Sequence, residues 1–503
     1  MSETREPIAA ADPPDGPPAK TKNKAEGERS TGFYLFLIVG MVLFLELNAM
    51  VIQMVVPALH FMGPTFRGAN LSWVLTVVTL VGAALQPLGG KLADMFDVRH
   101  IVAVVGVSFV LGSVLCALTE SFAVLLCGRV LQSSVMVAPP LAYRVYRDLI
   151  PARLVPVALG SVGTGFGVAG LIGPIIAGAL VDNLGYRSLF WFFACYGVVI
   201  VPVIVAALPN STRLPGRRLD VLGALLLCGG VAALLLGLSE GAAWGWLSKG
   251  TVASVLGGLA LLLLFLRVES RAPDPVIPLQ LLARPEFLTT ILVGVLGMFP
   301  LMTYSFGLPQ LLEAPKVAGL AHTFGLTALA VGLVQIPYGV FGMVFGPLGG
   351  ALTRRIGPRK VMIASLCLLS LGALLLGFFH HDLWQIILWS AVVGTGFGLF
   401  WAGQANLMVE AVPPDHTGVS GGTQTAAQAV GTSIAIALIG TVLAQHVLRV
   451  DASTHATIYS DRGFATVFFL GAAAGLVGVI LTLVMRHGRA PASGGSRAAS
   501  LDE

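Results

Sequence analysis

Apolar residues follow one another along this chain in long, nearly uncharged runs, and the charges collect in the short breaks between them. A run of roughly twenty mostly apolar residues is long enough for a helix to cross a bilayer. On that measure fourteen spans are predicted, at 33–59, 69–92, 101–119, 121–143, 155–181, 187–208, 219–239, 250–267, 287–312, 324–351, 360–379, 384–410, 417–446 and 463–485. An even number of crossings puts both chain ends on one side. The expected fold class is an all-α polytopic membrane protein.

Composition agrees with the pattern. Of 503 residues, 56% are hydrophobic and 11% charged, whereas a soluble chain carries about a quarter charged residues. The net charge of +5 forms no basic stripe, so no nucleic-acid partner is expected. If the N-terminus lies inside, roughly 23 Lys and Arg fall in inside loops and tails and about 6 outside, the bias that marks a cytoplasmic side. Trp244, Trp246, Trp384 and Trp389 lie near the opposite ends of their spans, where amphipathic rings favour the interface. The five cysteines sit within apolar runs without disulfide or metal spacing. No paired carboxylates, nucleophile elbow, metal cluster or phosphate loop emerges, so neither an enzyme nor a cofactor is expected. Residues 1–31, rich in Pro, Ala, Lys and Glu, and residues 488–503 read as disordered cytoplasmic tails. High Ala, Gly, Leu and Val, with more Arg than Lys, points to a GC-rich bacterial genome and so to a bacterial inner membrane.

Two inside loops repeat: "PLGGKLADMFDVRHIVAV" after the second span and "PLGGALTRRIGPRKVMIA" after the tenth. Such repetition marks a duplicated transporter. It divides the chain into a six-helix bundle at 32–209, two inserted helices with linkers at 210–285, and a second six-helix bundle at 286–487.

With these loops, the sequence resembles the major facilitator superfamily, in its fourteen-helix drug:proton antiporter branch. Gly90, Asp94 and Arg99 match the superfamily's loop signature, with departures at Met95, Asp97 and His100. The second copy keeps Arg355, Gly357, Arg359 and Lys360 and carries Arg354 in place of the acid. The resemblance implies a cytoplasmic latch built from Gly90, Asp94, Arg99, Arg355, Gly357 and Arg359. "GRVLQS" supplies Arg129 and Gln132, where the family has an Arg and Gln tied to proton coupling. "GSVGTGFGVAGLIGPIIAG" resembles the antiporter motif through Gly160, Gly173, Pro174 and Gly178, with Ala169 and Ala177 in place of two glycines. "TALAVGLVQIPYGVFGMVFGPLGGALTRRIGPRK", "PPDHTGVSGGTQTAAQAVGTSIAIA" and "EGAAWGWLS" resemble further segments of that branch. The fold implied is two six-helix bundles plus two inserted helices.

The branch commonly places an acid in its first span. Aligned on Pro57, Asn48 stands in its place here, Met50 replaces a Thr and Gln53 an Asn. Glu46, two residues earlier, is the acid that lies well inside a span. An intramembrane Arg costs at least about 2.5 kcal/mol unless paired or hydrated, so Glu46 and Arg129 are expected to pair, either as a titrating proton site or as a permanent ion pair. Asn48, Gln53, Gln132, Tyr304, Gln310, Gln335, Trp401, Gln404 and Asn406 are candidates for a substrate cavity, each with a helix–helix hydrogen bond or packing as the plainer alternative. Glu313 and Glu410, at span ends, read as solvated. The resemblance implies a monomer that exports a hydrophobic or amphipathic small molecule, such as a drug, natural product or lipid-like compound, against proton influx. Uptake, uniport or lipid flipping, and a membrane sensor without transport, are the alternatives.

Overall fold

The computed structural model describes residues 30–67, 69–209, 220–316, 323–450 and 457–495. Most of the first tail, part of the 210–285 linker and the last eight residues therefore lie outside the described residues. Fourteen helices are long and apolar enough to span a membrane: α1 Thr31–Gln53, α2 Trp73–Met95, α3 Val98–Leu118, α4 Phe122–Leu149, α5 Val155–Leu184, α6 Arg187–Ala207, α7 Val221–Gly241, α8 Lys249–Glu269, α9 Pro285–Glu313, α10 Ile336–Ile356, α11 Pro358–Phe378, α12 Leu383–Ala411, α13 Pro414–Gln445 and α14 Asp461–Val484. An antiparallel hairpin, β1 Val447–Val450 with β2 Thr457–Tyr459, joins α13 to α14. The side of the bundle at which α1 begins and α14 ends is called the tail side below, the other the far side.

Proline accounts for four departures from helix regularity, because it has no N–H to give to the carbonyl four residues back. Pro57 lies just past the break at Met54 that separates α1 from a short helix, Val55–Met62. The Pro139–Pro140 pair follows a 3₁₀ stretch, Ser133–Val137, inside α4. Pro309 follows a π-helical turn, Thr303–Gly307, inside α9. Pro337 follows a break at Gln335, so the expected tenth span of 324–351 divides into a short helix, Ala328–Val334, and α10.

One large buried core lies mainly within α1–α6 and another within α9–α14. α7 and α8 pack on each other and lean on α2 and α13, with Leu227, Val231 and Phe265 buried at that contact. Lys91 of α2 donates from Nζ to the Pro275 carbonyl at 2.6 Å, tying down the linker that leads back to α9. Much of α8 faces outward, with Leu256 and Leu263 exposed as a lipid-facing surface requires.

The expectation of a disordered tail from residue 488 is corrected for 488–495, which bridge the two bundles. The Gly488 carbonyl accepts from Arg359 N and the Thr353 carbonyl from Ala492 N. Ser493 N and Gly495 N donate to Glu410 Oε1 at 2.6 and 3.1 Å. Arg147 of α4 donates to the Gly495 carbonyl at 3.1 Å. Gly357, at φ +90°, makes room for this segment: a Cβ there would press on the carbonyls of residues 488–490.

Candidate functional site

Arg129 is completely buried and makes three hydrogen bonds: to the Val74 carbonyl at 2.8 Å, the Val51 carbonyl at 2.9 Å and Gln132 Oε1 at 2.7 Å. Gln132 donates in turn to Ser113 Oγ at 2.8 Å, and Ser113 to the Phe109 carbonyl. One guanidinium thus gathers α1, α2, α3 and α4. All its acceptors are neutral dipoles.

Glu46 is also buried, and its Oε2 lies 3.0 Å from Tyr196 Oη on α6. The expected ion pair between Glu46 and Arg129 is therefore not formed. Helix phase is the reason: Val51, whose carbonyl serves Arg129, is five residues beyond Glu46, or roughly 140° around the helix. Tyr196 Oη also lies 3.1 Å from the Leu43 carbonyl. Its single proton faces two acceptors when Glu46 is ionised. With Glu46 protonated, its O–H donates to Tyr196 Oη and the Tyr196 hydroxyl is free to donate to the Leu43 carbonyl.

Asn48 and Gln53 make no hydrogen bond to another residue among those described, and Gln53 points toward Gly170 of α5. Gln132 is spent on Arg129 and Ser113, so it is a positioning residue rather than a cavity wall. Asn406 Nδ2 donates to the Pro156 carbonyl across the bundles, and Gln404 Nε2 to the Thr290 carbonyl of α9. Both are buried in helix contacts, which corrects their expected place on a cavity wall.

The second bundle carries an aromatic wall. Tyr304, in the π-helical turn, donates to Ser390 Oγ at 2.8 Å and stacks on Tyr338 at 4.6 Å. Tyr338 meets Phe397 at 5.0 Å, and Phe397 lies 6.4 Å from Trp401. Trp401 stacks on Phe166 of the first bundle at 4.9 Å. Trp401 Nε1 and Gln335 Nε2 are buried without a hydrogen-bond partner. Gln310 only donates back to its own helix, at the Phe306 carbonyl.

Sequence reasoning missed Gln424 and Gln428 of α13. All four of their amide oxygen and nitrogen atoms are buried and unpartnered, and Gln404 and Gln428 both point at Gly294. Their i, i+4 spacing inside one span was the available signal, since that spacing puts both on one helix face.

Below this layer the bundles are sealed on the tail side. Asp94 accepts from Gly418 N at 2.9 Å and Val419 N at 2.8 Å, the first turn of the long α13 helix, with Arg144 Nη1 3.6 Å away. At the expected latch partner Arg99, the backbone N–H donates to Asp97 Oδ1, the residue that caps α3. Arg144 and Arg147 lie just past the expected span of 121–143, and no role was expected of them. They donate to the Pro414 and Val412 carbonyls at 2.8 and 2.9 Å. Glu410, read as solvated, holds the C-terminal segment. Of the second loop's candidates, Gly357 and Arg359 hold that segment, while Arg355 makes no ion pair or hydrogen bond to another described residue. Glycine makes the approach possible: a Cβ on Gly90 would overlap the Gly418 carbonyl, and one on Gly160 the Gly346 carbonyl. Gly173 meets Met54 of the α1 break, Gly178 faces open space, and Pro174 lies one residue past Gly173 within α5.

A duplicated bundle of this architecture is matched by the family model described as Major Facilitator Superfamily, over residues 41–317 and 314–501. The chain belongs to that superfamily. It is 29% identical over 437 residues to multidrug resistance protein Stp of Mycobacterium tuberculosis, covering 82% of this chain and 75% of that one. It is 27% identical over 438 residues to multidrug transporter protein MdtP of Bacillus subtilis, covering 84% and 77%. Among solved structures, the proton:xylose symporter XylE shares the fold, with a TM-score of 0.64 at 11% identity over 93% of this chain and 100% of that one. The protein is a multi-pass transporter of the major facilitator superfamily.

Proposed function

We propose that this transporter exports hydrophobic or amphipathic small molecules by alternating access, driven by proton influx through Glu46. The carrying observation is the Glu46–Tyr196–Leu43 arrangement, in which one hydroxyl proton serves two acceptors and protonation of Glu46 supplies the second. The aromatic wall from Tyr304 to Trp401 suits greasy cargo, as flat rings offer area at low entropic cost. Unpaired Gln335, Gln424, Gln428 and Trp401 Nε1 supply polar contacts for an amphipathic one, and the named multidrug relatives support that substrate class. The two moving bundles are residues 32–209 and 286–487, with 210–285 an insertion. The bias of Lys and Arg supports placing both tails in the cytoplasm of a bacterial inner membrane, the protein working as a monomer among lipids.

Efflux of ethidium from proteoliposomes with and without an imposed pH gradient tests the reading. The wild-type protein should transport faster with the gradient, and Glu46→Gln should transport at one rate regardless of it. Full gradient dependence in Glu46→Gln sinks the proton role. A second reading, uniport or lipid flipping, is favoured by Asn48, which puts an amide where the branch carries its acid. Wild-type flux that ignores the gradient would select it.

A further inference from the structure

On the far side, the turn between α11 and α12 places His380 and His381 against Asp461 at the start of α14. His380 Nε2 lies 2.8 Å and His381 Nε2 3.2 Å from the same oxygen, Asp461 Oδ1. The two imidazoles stack at 4.7 Å with 19° between planes. Donor atoms of all three side chains fall within 4.8 Å of one another.

The protons on His380 are the informative part. Its Nδ1 is 2.6 Å from the Leu376 carbonyl, which can only accept, so Nδ1 carries a hydrogen. In the neutral ring, Nε2 then presents its lone pair to a carboxylate oxygen 2.8 Å away. That contact needs a proton or a metal cation between the two atoms. A second imidazole converging on the same oxygen is unnecessary for a simple ion pair. A metal ion satisfies every group, with Nδ1–H on a backbone carbonyl as the outer contact that fixes the ring of a metal-bound histidine.

We propose that His380, His381 and Asp461 form a binding site for a divalent transition metal of the zinc class. Two imidazoles and a carboxylate suit zinc, cobalt or nickel, whereas magnesium and calcium prefer all-oxygen shells. Bonds of roughly 2.0–2.2 Å would hold the donors about 3.3 Å apart in a tetrahedral shell, so the two histidine–aspartate distances need to open by only a few tenths of an ångström. His381 and Asp461 are each 44% exposed, which gives the ion a path in and leaves its fourth position to water. The ion would clamp the α11–α12 turn to α14 on the face opposite the tails.

The test uses tag-free, full-length protein in detergent, stripped with chelator and titrated with Co²⁺, whose visible spectrum reports tetrahedral nitrogen and oxygen ligation. One equivalent should bind, Zn²⁺ should displace it, and Mg²⁺ should not. His381→Ala, a change on the exposed side of the cluster, should weaken binding by at least roughly tenfold while leaving the circular dichroism and thermal unfolding of the stripped protein unchanged. Asp461→Asn should do the same. Absence of a tetrahedral Co²⁺ spectrum in the wild-type protein, or unaltered affinity in His381→Ala, overturns the site and leaves a histidine–aspartate ion pair.

Discussion

The two copies of the repeated loop hold the tail side shut by different means. Between α2 and α3, Asp94 reaches across to the first turn of α13, where two backbone N–H groups and Arg144 receive its charge. Between α10 and α11 the matching position is Arg354, and no such reach is made. The second copy instead grips the C-terminal segment through Thr353, Gly357 and Arg359, and that segment runs on to Glu410 and Arg147. The two copies agree in their glycines. Gly90 lies against Gly418, and its counterpart Gly350 lies against Pro156 and Val157, both without room for a Cβ. Duplication has preserved the backbone approach of the helices, which packing sets, while the charge chemistry above it has diverged.

If close approach is the shared requirement, Gly350→Leu should do the greatest damage. Its side chain would collide with backbone that cannot swing aside, so the seal should fail and ethidium flux should fall more than about tenfold, with Gly90→Leu behaving alike. Correctly inserted protein with undiminished flux would break the comparison at its strongest point. The charges come next. Asp94→Asn removes a charged acceptor of two hydrogen bonds, a loss of roughly 2 kcal/mol or about thirtyfold in the closed-to-open ratio. Glu410→Gln should shift that ratio less, since Ser493 and Gly495 can keep part of their bonding. Labelling of a cysteine introduced beneath the seal, measured in both variants, ranks the two devices; a larger effect at Glu410 would make the C-terminal segment the main lock.

Long uncharged runs made the fourteen spans and the duplication plain in the sequence, because the bilayer imposes a length and an apolar composition that residues reveal directly. Proline positions likewise foretell the breaks in α1, α9 and α10. The candidate site was less legible. Glu46 and Arg129 are a plausible pair on paper, yet helix phase turns Glu46 toward Tyr196 on α6, a partner 150 residues away with no sequence mark. Arg144 looked like ordinary loop charge because its role depends on α13 arriving beside it. The C-terminal segment "GRAPASGG" has the composition of a flexible tail. Its order comes from carbonyls and a carboxylate on other helices, which composition cannot display.

The smallest expected effect sharpens the same comparison through His487, just past the end of α14. Its Nε2 lies 2.9 Å from Thr290 Oγ1. Burial pushes this imidazole down to about 4, with Glu286 opposing the shift and Arg359 adding to it. A base whose folded value is depressed leaves the unfolded chain holding more protons between the two values, so stability rises with pH in that window. The contribution is complete above pH ~6.5, the ordinary histidine value, and drains away as pH falls toward 4. At pH 5 the loss should be on the order of 1 kcal/mol, discounted for partial solvent access. Because Gly488 follows directly, protonation should loosen the C-terminal segment. Trypsin cleavage at Arg489 should therefore quicken between pH 7 and 5 in the wild-type protein, relative to a peptide control. His487→Gln should flatten that trend, and an identical pH trend in the variant would assign the loosening to another group.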